Sequence, residues 1–201
     1  LGSLESVYDE VTDLGYQEPV LYPLDLEGAT PEHYEQLQAN LLENFDQLDG
    51  LIHNASIIGT MMPIEQYDIK LWYSTMQINV NAVFMLTQFL IPVLNKSDDA
   101  RILFLSSSVG RSARAYWGAY GVSKFAIEGL SKTLSEELEK TNIRVNSLDP
   151  KRMRTKMRQT AYPAENAENN PLPQECSPAI VYLMSESTKA LNGEQLTLEL
   201  D

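Results

Sequence analysis

Apolar and polar positions follow two different spacings along this chain. Between Leu1 and Leu14 the apolar residues fall at intervals of three or four, which predicts an amphipathic helix that ends at Gly15. The same helical spacing returns in four later segments: 31–45, 64–94, 117–140 and 178–185. The segment 64–94 is long and is predicted to kink near Asn79.

Short apolar runs separate these helical segments and are typical of buried strands. They are PVLYPLDL (19–26), LDGLIHNAS (48–56), ARILFLSSS (100–108), IRVNSLDP (143–150) and EQLTLEL (194–200). Strands that alternate with helices at this spacing form βαβ units, so we predict an α/β fold: a doubly wound parallel sheet with helices on both faces. The length of 201 residues suits a single domain.

Composition narrows the range of functions. The formal net charge of −13 argues against a nucleic-acid partner and against an anionic membrane surface, because both are bound through clustered Lys and Arg. No apolar run approaches the roughly 20 residues of a membrane span, and no signal peptide is expected. Cys176 is the only cysteine and has no cluster of ligands around it, so we expect no disulfide, no metal site and a cytoplasmic location.

Small or polar residues follow four of the apolar runs, at the sheet edge where open α/β folds bind ligands. They are Asp25, HNAS (53–56), SSS (106–108) and SLDP (147–150). Each is also an ordinary turn former or helix cap, so no single one identifies a site. Ser107 lies 13 positions before Tyr120, so one strand-to-helix loop can bring its hydroxyl beside the phenol.

Tyr120 and Lys124 stand four positions apart in a predicted helix and therefore share one face. A phenol with a pKa of about 10 is a poor base at neutral pH. An adjacent ammonium stabilises the phenolate, so we expect Lys124 to lower the pKa of Tyr120. The same spacing also occurs by chance as an ordinary surface pair.

Together these motifs resemble the short-chain dehydrogenase/reductase family over nearly the whole chain. They are Asn54–Ala55 after a strand, QINVNA with Asn79, the serine run, Tyr120 with Lys124, and VNSLDP with Asn146 and Pro150. The likeness is greatest to an uncharacterised bacterial branch. It implies a Rossmann-like fold and hydride transfer between a nicotinamide cofactor, NADP in preference to NAD, and a small-molecule carbonyl or alcohol.

Four residues are catalytic by this resemblance. Tyr120 is the acid–base group, Lys124 also bonds the nicotinamide ribose, Ser107 orients the substrate oxygen, and Asn79 holds a water for proton relay. Ser108 is the alternative to Ser107, because a one-residue loop deletion would shift the alignment. For Asn79 the alternative is a buried asparagine that caps a helix kink.

The resemblance also implies a set of cofactor contacts. Asp25 and Leu26 lie where the family holds the adenine, and the backbone after Asn54 passes the adenosine ribose. The full set is Asp25, Leu26, Asn54, Ala55, Ser56, Tyr120, Lys124, Pro150 and Thr155, the last reaching the carboxamide or a phosphate.

The sequence departs from the family's pattern at three places. Ser56 and Lys151 stand where glycine is usual, and a lysine there needs a different backbone or a strained one. The strand, glycine-rich turn and helix that open the family's fold have no counterpart after Leu1, so the first strand–helix–strand unit is expected to be missing. We expect either a segment that precedes Leu1 or a truncated relative.

Residues 151–175 are polar and rich in Asn, Glu and Pro, which predicts an irregular, mobile lobe that covers the substrate and becomes ordered when cofactor binds. Its five basic residues are conspicuous in so acidic a chain: Lys151, Arg152, Arg154, Lys156 and Arg158. They attract an anionic substrate or cofactor phosphates on one interpretation, and form a solvated helix face on the other.

Three functional hypotheses remain open at this point. The leading one is an NAD(P)-dependent oxidoreductase; the second is a non-redox enzyme of the same fold, such as an epimerase or dehydratase; the third is a non-catalytic assembly protein. In the family the two long helices pair across a two-fold axis, which implies a homodimer or homotetramer.

Overall fold

Helices and strands alternate through most of the chain in the computed structural model, which describes residues 2–199. The helices are α1 (Gly2–Asp13), α2 (Pro31–Asn44), α3 (Ile69–Met76), α4 (Ala82–Leu94), α5 (Gly118–Glu137), α6 (Lys156–Ala161) and α7 (Ser177–Leu183). The strands are β1 (Gly50–His53), β2 (Ala100–Leu105), β3 (Ile143–Asp149) and β4 (Gln195–Thr197). Leu1, at the start of the predicted first helix, and Leu200, at the end of the predicted last strand, lie outside the described residues.

The four strands form one parallel sheet in the order β1-β2-β3-β4. The register pairs Ile52 with Leu103 and Leu103 with Asn146, so the carboxyl ends of the strands meet at one edge. The predicted α/β class, the parallel pairing and the single domain core are confirmed.

β2 shows why helices cover both faces. All six of its residues are buried, and successive side chains point to opposite faces. Ile102 and Phe104 pack into a core with α4 and α5, whereas Leu103 and Leu105 pack into a second core with α7. A continuous apolar run is what a strand buried on both faces requires.

The strand predicted at 19–26 is wrong. Residues 16–25 have no regular secondary structure, and Val20 is 73% exposed. Among the described residues no strand pairs with this segment or with the outer edge of β1. A strand needs a hydrogen-bonded neighbour, so apolar composition alone does not make one.

The long helix predicted from 64 to 94 is divided into several parts. Residues Ile64–Gln66 form a separate short turn, and α3 begins after Asp68, whose Oδ1 accepts a hydrogen bond from the Leu71 N–H at 2.8 Å. A π-helical segment, Gln77–Asn81, joins α3 to α4 at the position where the kink was predicted. Such segments carry one extra residue per turn and often mark functional sites.

The stretch Ile69–Leu94 is long and apolar enough, by length and composition, to cross a membrane, contrary to the sequence-based expectation. Its inner residues Val83, Leu90, Val93 and Leu94 belong to the core on the sheet. The core helix of an α/β domain meets the same criterion, so this feature is weak support for a membrane span.

Residues 151–175 are more regular than predicted. Thr155 caps α6 by accepting a hydrogen bond from the Arg158 N–H, and Arg158 forms an ion pair with Glu165 at 2.7 Å. Asn170 is 2% exposed and donates to Glu165, and Met153 joins the core beside α7. The segment therefore has more regular structure than the sequence suggests; its mobility and its role in covering the substrate stay predictions.

Candidate functional site

A cavity of about 1010 Å³ lies beyond the carboxyl ends of the strands. Asn54 follows β1, the serines 106–108 follow β2, and Pro150 follows β3, and all of them border this cavity. Tyr120 and Lys124 of α5 line it, and the segment from Lys151 to Arg158 forms part of its wall. Four polar groups were predicted to meet at one edge of the sheet, and three of them border this cavity; the group at Asp25 does not.

Tyr120 and Lys124 lie on the same face of α5 and are each 6% exposed. The Lys124 Nζ lies 5.5 Å from the centre of the Tyr120 ring. It donates a hydrogen bond of 2.7 Å to the Leu105 carbonyl at the end of β2. This bond fixes the ammonium at the edge of the sheet, next to the cavity.

The pKa of Tyr120 is not lowered as expected. Burial raises it to about 12; a hydrogen bond with the Ser107 side chain acts in the opposite direction, and the Asp149 carboxylate raises it further. Desolvation of the phenolate is the largest cause of this rise, and the Lys124 ammonium donates its hydrogen bond to the Leu105 carbonyl. Tyr120 is therefore a neutral phenol at pH 7, which is the form of a proton donor.

Burial also lowers the pKa of Lys124, to about 8, while Glu128 and Asp149 oppose this change. A pKa near 8 leaves the amine mostly charged at neutral pH. The ammonium is then available to a ligand hydroxyl as well as to Leu105, because it has three N–H donors.

The two candidate serines differ in their surroundings. Ser107 is half-buried and lies near enough to Tyr120 to lower its pKa, whereas Ser108 is exposed and begins a short turn, Ser108–Gly110. Both border the cavity. The contact with Tyr120 favours Ser107 as the partner of the phenol.

Asn79 is held tightly in the π-helical segment and is 2% exposed. Its Oδ1 accepts from the Ile57 N–H at 2.8 Å, and its Nδ2 donates to the Ile57 carbonyl at 2.8 Å and to the Ser123 Oγ at 3.0 Å. Both amide N–H groups are thus used, so a water at Asn79 has to donate to Oδ1. The side chain ties the loop after β1 to the helix that leads to α4.

Most of the predicted cofactor contacts border the cavity. They are Asn54, Ser56, Tyr120, Lys124, Pro150 and Thr155. Ala55, between two of them, is exposed on the same loop. The set is therefore brought together by the loops after β1 and β3 and by α5.

Asp25 and Leu26 lie apart from this cavity. Leu26 packs against the small core around Tyr34, and the exposed Asp25 accepts hydrogen bonds from the Glu27 and Ala29 N–H groups. Their predicted place at an adenine stays untested.

Lys151 and Ser56, which stand where the family usually has glycine, differ in backbone conformation. Lys151 has a φ of +59°, so the chain keeps the left-handed backbone that glycine usually provides, at a cost of about 1–2 kcal/mol. Its N–H donates to Asp149 Oδ1 at 2.9 Å, and its Nζ pairs with Glu199. Ser56 keeps a negative φ, and its buried Oγ has no partner among the described residues. The strained backbone expected at Lys151 is therefore present.

Several wall residues were missed from the sequence. Asp149 had a signal, because it belongs to the polar group that ends β3, and it lies close enough to Tyr120 and Lys124 to affect both pKa values. Arg111 and Arg114 follow the serine run directly, and Trp117 lies one helical turn before Tyr120, with ring centres 5.7 Å apart. The sequence signal for these three residues was that they lie in the segment that connects Ser107 to Tyr120.

The basic residues of 151–158 differ in whether their side chains bind other residues of the chain. Arg158 pairs with Glu165 and lies over the Tyr162 ring at 3.8 Å, and Arg154 donates to the carbonyls of Glu168 and Asn170. Lys156 is exposed on α6. Arg152 borders the cavity and makes no hydrogen bond or ion pair with residues 2–199.

No group of three or more His, Cys, Asp or Glu side chains in residues 2–199 is arranged to hold a metal ion. The chemistry of the cavity wall is instead that of a phenol, an amine, hydroxyls and guanidinium groups.

Comparison with known proteins points to one family. The sequence model for short chain dehydrogenases matches residues 2–166. The uncharacterized oxidoreductase YciK of Escherichia coli K12 is 39% identical over 190 residues, which cover 94% of this chain and 75% of that protein.

Solved structures show the same likeness. A short chain dehydrogenase from Pseudomonas syringae is 49% identical and superposes with a TM-score of 0.95, over 98% of this chain and 80% of that one. Another from Shigella flexneri 2a, solved in complex with NADP, is 39% identical with a TM-score of 0.94, over 96% of this chain and 81% of that one. This chain is therefore similar to these two proteins in sequence as well as in fold.

Proposed function

This chain belongs to the short-chain dehydrogenase family, and from that premise we propose that it is an NADP-dependent oxidoreductase in which Tyr120 transfers the proton to or from a carbonyl or alcohol substrate. The observation that carries this proposal is the meeting of the Tyr120 phenol, the Ser107 hydroxyl and the Lys124 ammonium at one cavity beyond the strand ends. The oxidoreductase names of its relatives disfavour a non-catalytic assembly protein.

The residues at the cavity fit a dinucleotide cofactor. Two hydroxyls at its wall, Ser56 Oγ and Ser106 Oγ, are buried without a hydrogen-bond partner among the described residues, and such groups are stabilised when a polar ligand satisfies them. Asn54, Ala55, Ser56, Pro150 and Thr155 would hold the cofactor, and Lys124 would bond the ribose of its nicotinamide half. NADP is preferred to NAD because the similar S. flexneri protein was solved with NADP.

The bound cofactor supplies or accepts the hydride, and the chain's own residues manage the proton. In the reducing direction Tyr120 donates its proton to the substrate oxygen, which develops negative charge as the carbonyl is reduced. The raised pKa of Tyr120, about 12, keeps it protonated for this step. Ser107 donates a hydrogen bond to the same oxygen and orients it, and the Lys124 ammonium stabilises the phenolate that remains.

Asn79 has a positioning role in this proposal, and a water that donates to its Oδ1 would continue the proton path from Lys124. The clamp from Asn79 to Ile57 holds the loop beside the cofactor-binding residues. The protein is further proposed to act as a homodimer or homotetramer in the cytoplasm on a small-molecule substrate.

The test is Tyr120→Phe in the full protein, with Tyr182→Phe as a matched control because Tyr182 is 56% exposed on α7. We expect Tyr120→Phe to lower kcat by roughly 10²–10⁴-fold for NADPH-dependent reduction of a carbonyl panel. The NADPH fluorescence change on binding should persist in both variants. Activity of Tyr120→Phe within a factor of two of the unaltered protein would refute the role of the phenol.

A further inference from the structure

Positive charge is concentrated at the cavity of this acidic protein. Six of the chain's 15 lysines and arginines border it, against one of the 28 aspartates and glutamates, Asp149. The six cations are Arg111, Arg114, Lys124, Lys151, Arg152 and Arg158. Because the net charge elsewhere is strongly negative, this distribution does not follow from composition.

Three of these cations are committed to ion pairs within the chain. Arg111 pairs with the buried Glu128 at 2.8 Å and also donates to Thr197 and Ser147, which ties α5 to β3 and β4. Lys151 pairs with Glu199, and Arg158 with Glu165. Lys124 donates to the Leu105 carbonyl and belongs to the proposed catalytic set. These contacts give each of the four a role without a bound anion.

Arg114 and Arg152 differ from the other four. Both border the cavity, both are exposed, and neither makes a hydrogen bond or ion pair with the described residues 2–199. Arg114 comes from the connection between Ser107 and Tyr120, and Arg152 comes from the segment after β3. Two guanidinium groups from separate segments therefore border one cavity, each with all its N–H donors available.

Apolar side chains form another part of the same wall. Trp117 lies between the rings of Tyr120 and Tyr162, at centre distances of 5.7 and 6.2 Å, and Met153, Met157 and Ile180 line the cavity with it. An apolar body with one anionic group matches this combination, since guanidinium groups bind carboxylates and phosphates through paired charge-assisted hydrogen bonds.

We propose that the substrate is an anionic carbonyl or alcohol compound, an oxo acid or a phosphorylated carbonyl, whose charged group is bound by Arg114 and Arg152 and whose apolar body contacts Trp117. This inference rests on the proposed function, because it names the substrate class of the same site. Phosphates of the cofactor offer the same chemistry to these arginines, so the experiment separates the two sources.

Matched substrates test the proposal directly. With NADPH, 4-carboxybenzaldehyde is compared with methyl 4-formylbenzoate, and 4-formylphenyl phosphate with 4-methoxybenzaldehyde, at low and high salt. We expect the anion of at least one pair to have a kcat/KM roughly tenfold or more above its neutral partner, the value of a charge-assisted hydrogen bond. High salt should reduce this preference, because exposed charges are screened.

Variants assign the preference to residues. Arg114→Gln with Arg152→Gln should remove it while leaving kcat/KM of the neutral compounds and the KM of NADPH unchanged. Lys156→Gln is the control, because it removes one positive charge of the same segment from an exposed position outside the cavity wall. Equal use of both members of both pairs, or a preference that survives the double variant, overturns the proposal. A raised KM for NADPH with the preference intact assigns the arginines to cofactor phosphates and also overturns it.

A binding measurement keeps this inference separate from the proposed function. If no aldehyde is turned over, calorimetry compares terephthalate and phenyl phosphate with dimethyl terephthalate on the protein saturated with NADP. Binding of an anion that is lost in the double variant supports the anionic site although the reaction fails. Absence of binding by both anions overturns the inference itself.

Discussion

Burial shifts the pKa of several titratable side chains inside this protein. Tyr120 and Lys124 border the cavity and are shifted in opposite directions, so that both favour their neutral forms relative to free side chains. His53 is 8% exposed at the end of β1, where its ring stacks on Phe104 at 4.8 Å and its Nε2 lies 2.8 Å from the Thr87 hydroxyl. Burial lowers the pKa of His53 to about 4.

His53 should make stability depend on pH in the acid range. Its folded pKa, about 4, lies below the ordinary value of 6.5, so the unfolded chain binds the proton more readily between these values. The contribution to stability is complete above pH 6.5 and is lost as the pH falls towards 4, by about 3 kcal/mol in total. Urea unfolding of the protein and of His53→Gln at pH 7.5 and 4.5 measures it.

The variant should lose less stability between these two pH values than the unaltered protein. His33→Gln, which removes the exposed histidine at the start of α2, is the control, and its stability should depend more steeply on pH than that of His53→Gln. Parallel curves for His53→Gln and the unaltered protein would contradict the role of His53.

At the scale of elements, the turn Ser108–Gly110 packs closely on α5 and so sets the distance between Ser107 and Tyr120. A Cβ on Gly110 would lie 2.8 Å from the backbone carbon and oxygen of Lys124, closer than real Cβ contacts. A Cβ on Gly129, further along α5, would meet nothing within 4 Å. Close packing against α5 therefore requires glycine at position 110, whereas no packing contact requires it at position 129.

We expect Gly110→Ala to lower the free energy of unfolding by about 1–3 kcal/mol, because the turn must move away from α5. It should also reduce turnover, since Ser107 moves with the turn. Gly129→Ala should raise stability by roughly 0.5–1 kcal/mol through helix propensity and leave turnover unchanged. Chemical denaturation and steady-state kinetics check both; equal effects of the two substitutions would contradict the packing argument.

Charged side chains make many of the contacts that hold the lobe of residues 151–175, among them the Arg158–Glu165 ion pair and the hydrogen bond from Asn170 to Glu165. We expect its amides to exchange faster than those of β2 and β3 in the free protein and to become protected when NADPH binds. Glu165→Gln should speed exchange in the free state. Hydrogen exchange by mass spectrometry is the measurement, and equal protection of 151–175 with and without cofactor would show that it is not a lid.

At the scale of the whole molecule, the helices on one side of the sheet expose large apolar side chains. Phe84 of α4 is 48% exposed, and Val122 and Phe125 of α5 are each 44% exposed. Surfaces of this kind are usually covered in an assembly. They agree with the proposed symmetric dimer or tetramer, in which the same patch meets itself.

Light scattering at micromolar concentration should therefore give two or four times the mass of one protomer. Phe125→Glu should shift the mass towards that of one chain, because it buries an unpaired charge in the interface. Val181→Glu is the control, since Val181 is 68% exposed on α7 near the opposite face of the sheet. A mass equal to that of one protomer for the unaltered protein would refute the assembly.

Local pattern was enough to predict most of the fold and part of the site. The apolar pattern predicts five helical segments, which cover α1 to α5 and α7, and it predicts the four strands of the sheet together with one that does not form. A helix with one buried face repeats with its own period, and a strand buried on both faces is a continuous apolar run. Spacing alone predicts that Tyr120 and Lys124 share a face, since residues four apart on a helix do so whatever the rest of the chain does. Their proposed catalytic roles, and that of Ser107, come from the resemblance to the family and stay predictions.

The tertiary structure alone decided what depends on distant neighbours. Residues 19–26 have the composition of a strand but lack a hydrogen-bonded partner, and composition does not report a partner. The pKa of Tyr120 rises because the phenol is desolvated, and burial is a property of the folded chain. Which arginines are committed and which remain open, as Arg114 and Arg152 do, depends on the carboxylates that the fold brings near them, and sequence spacing does not contain those distances.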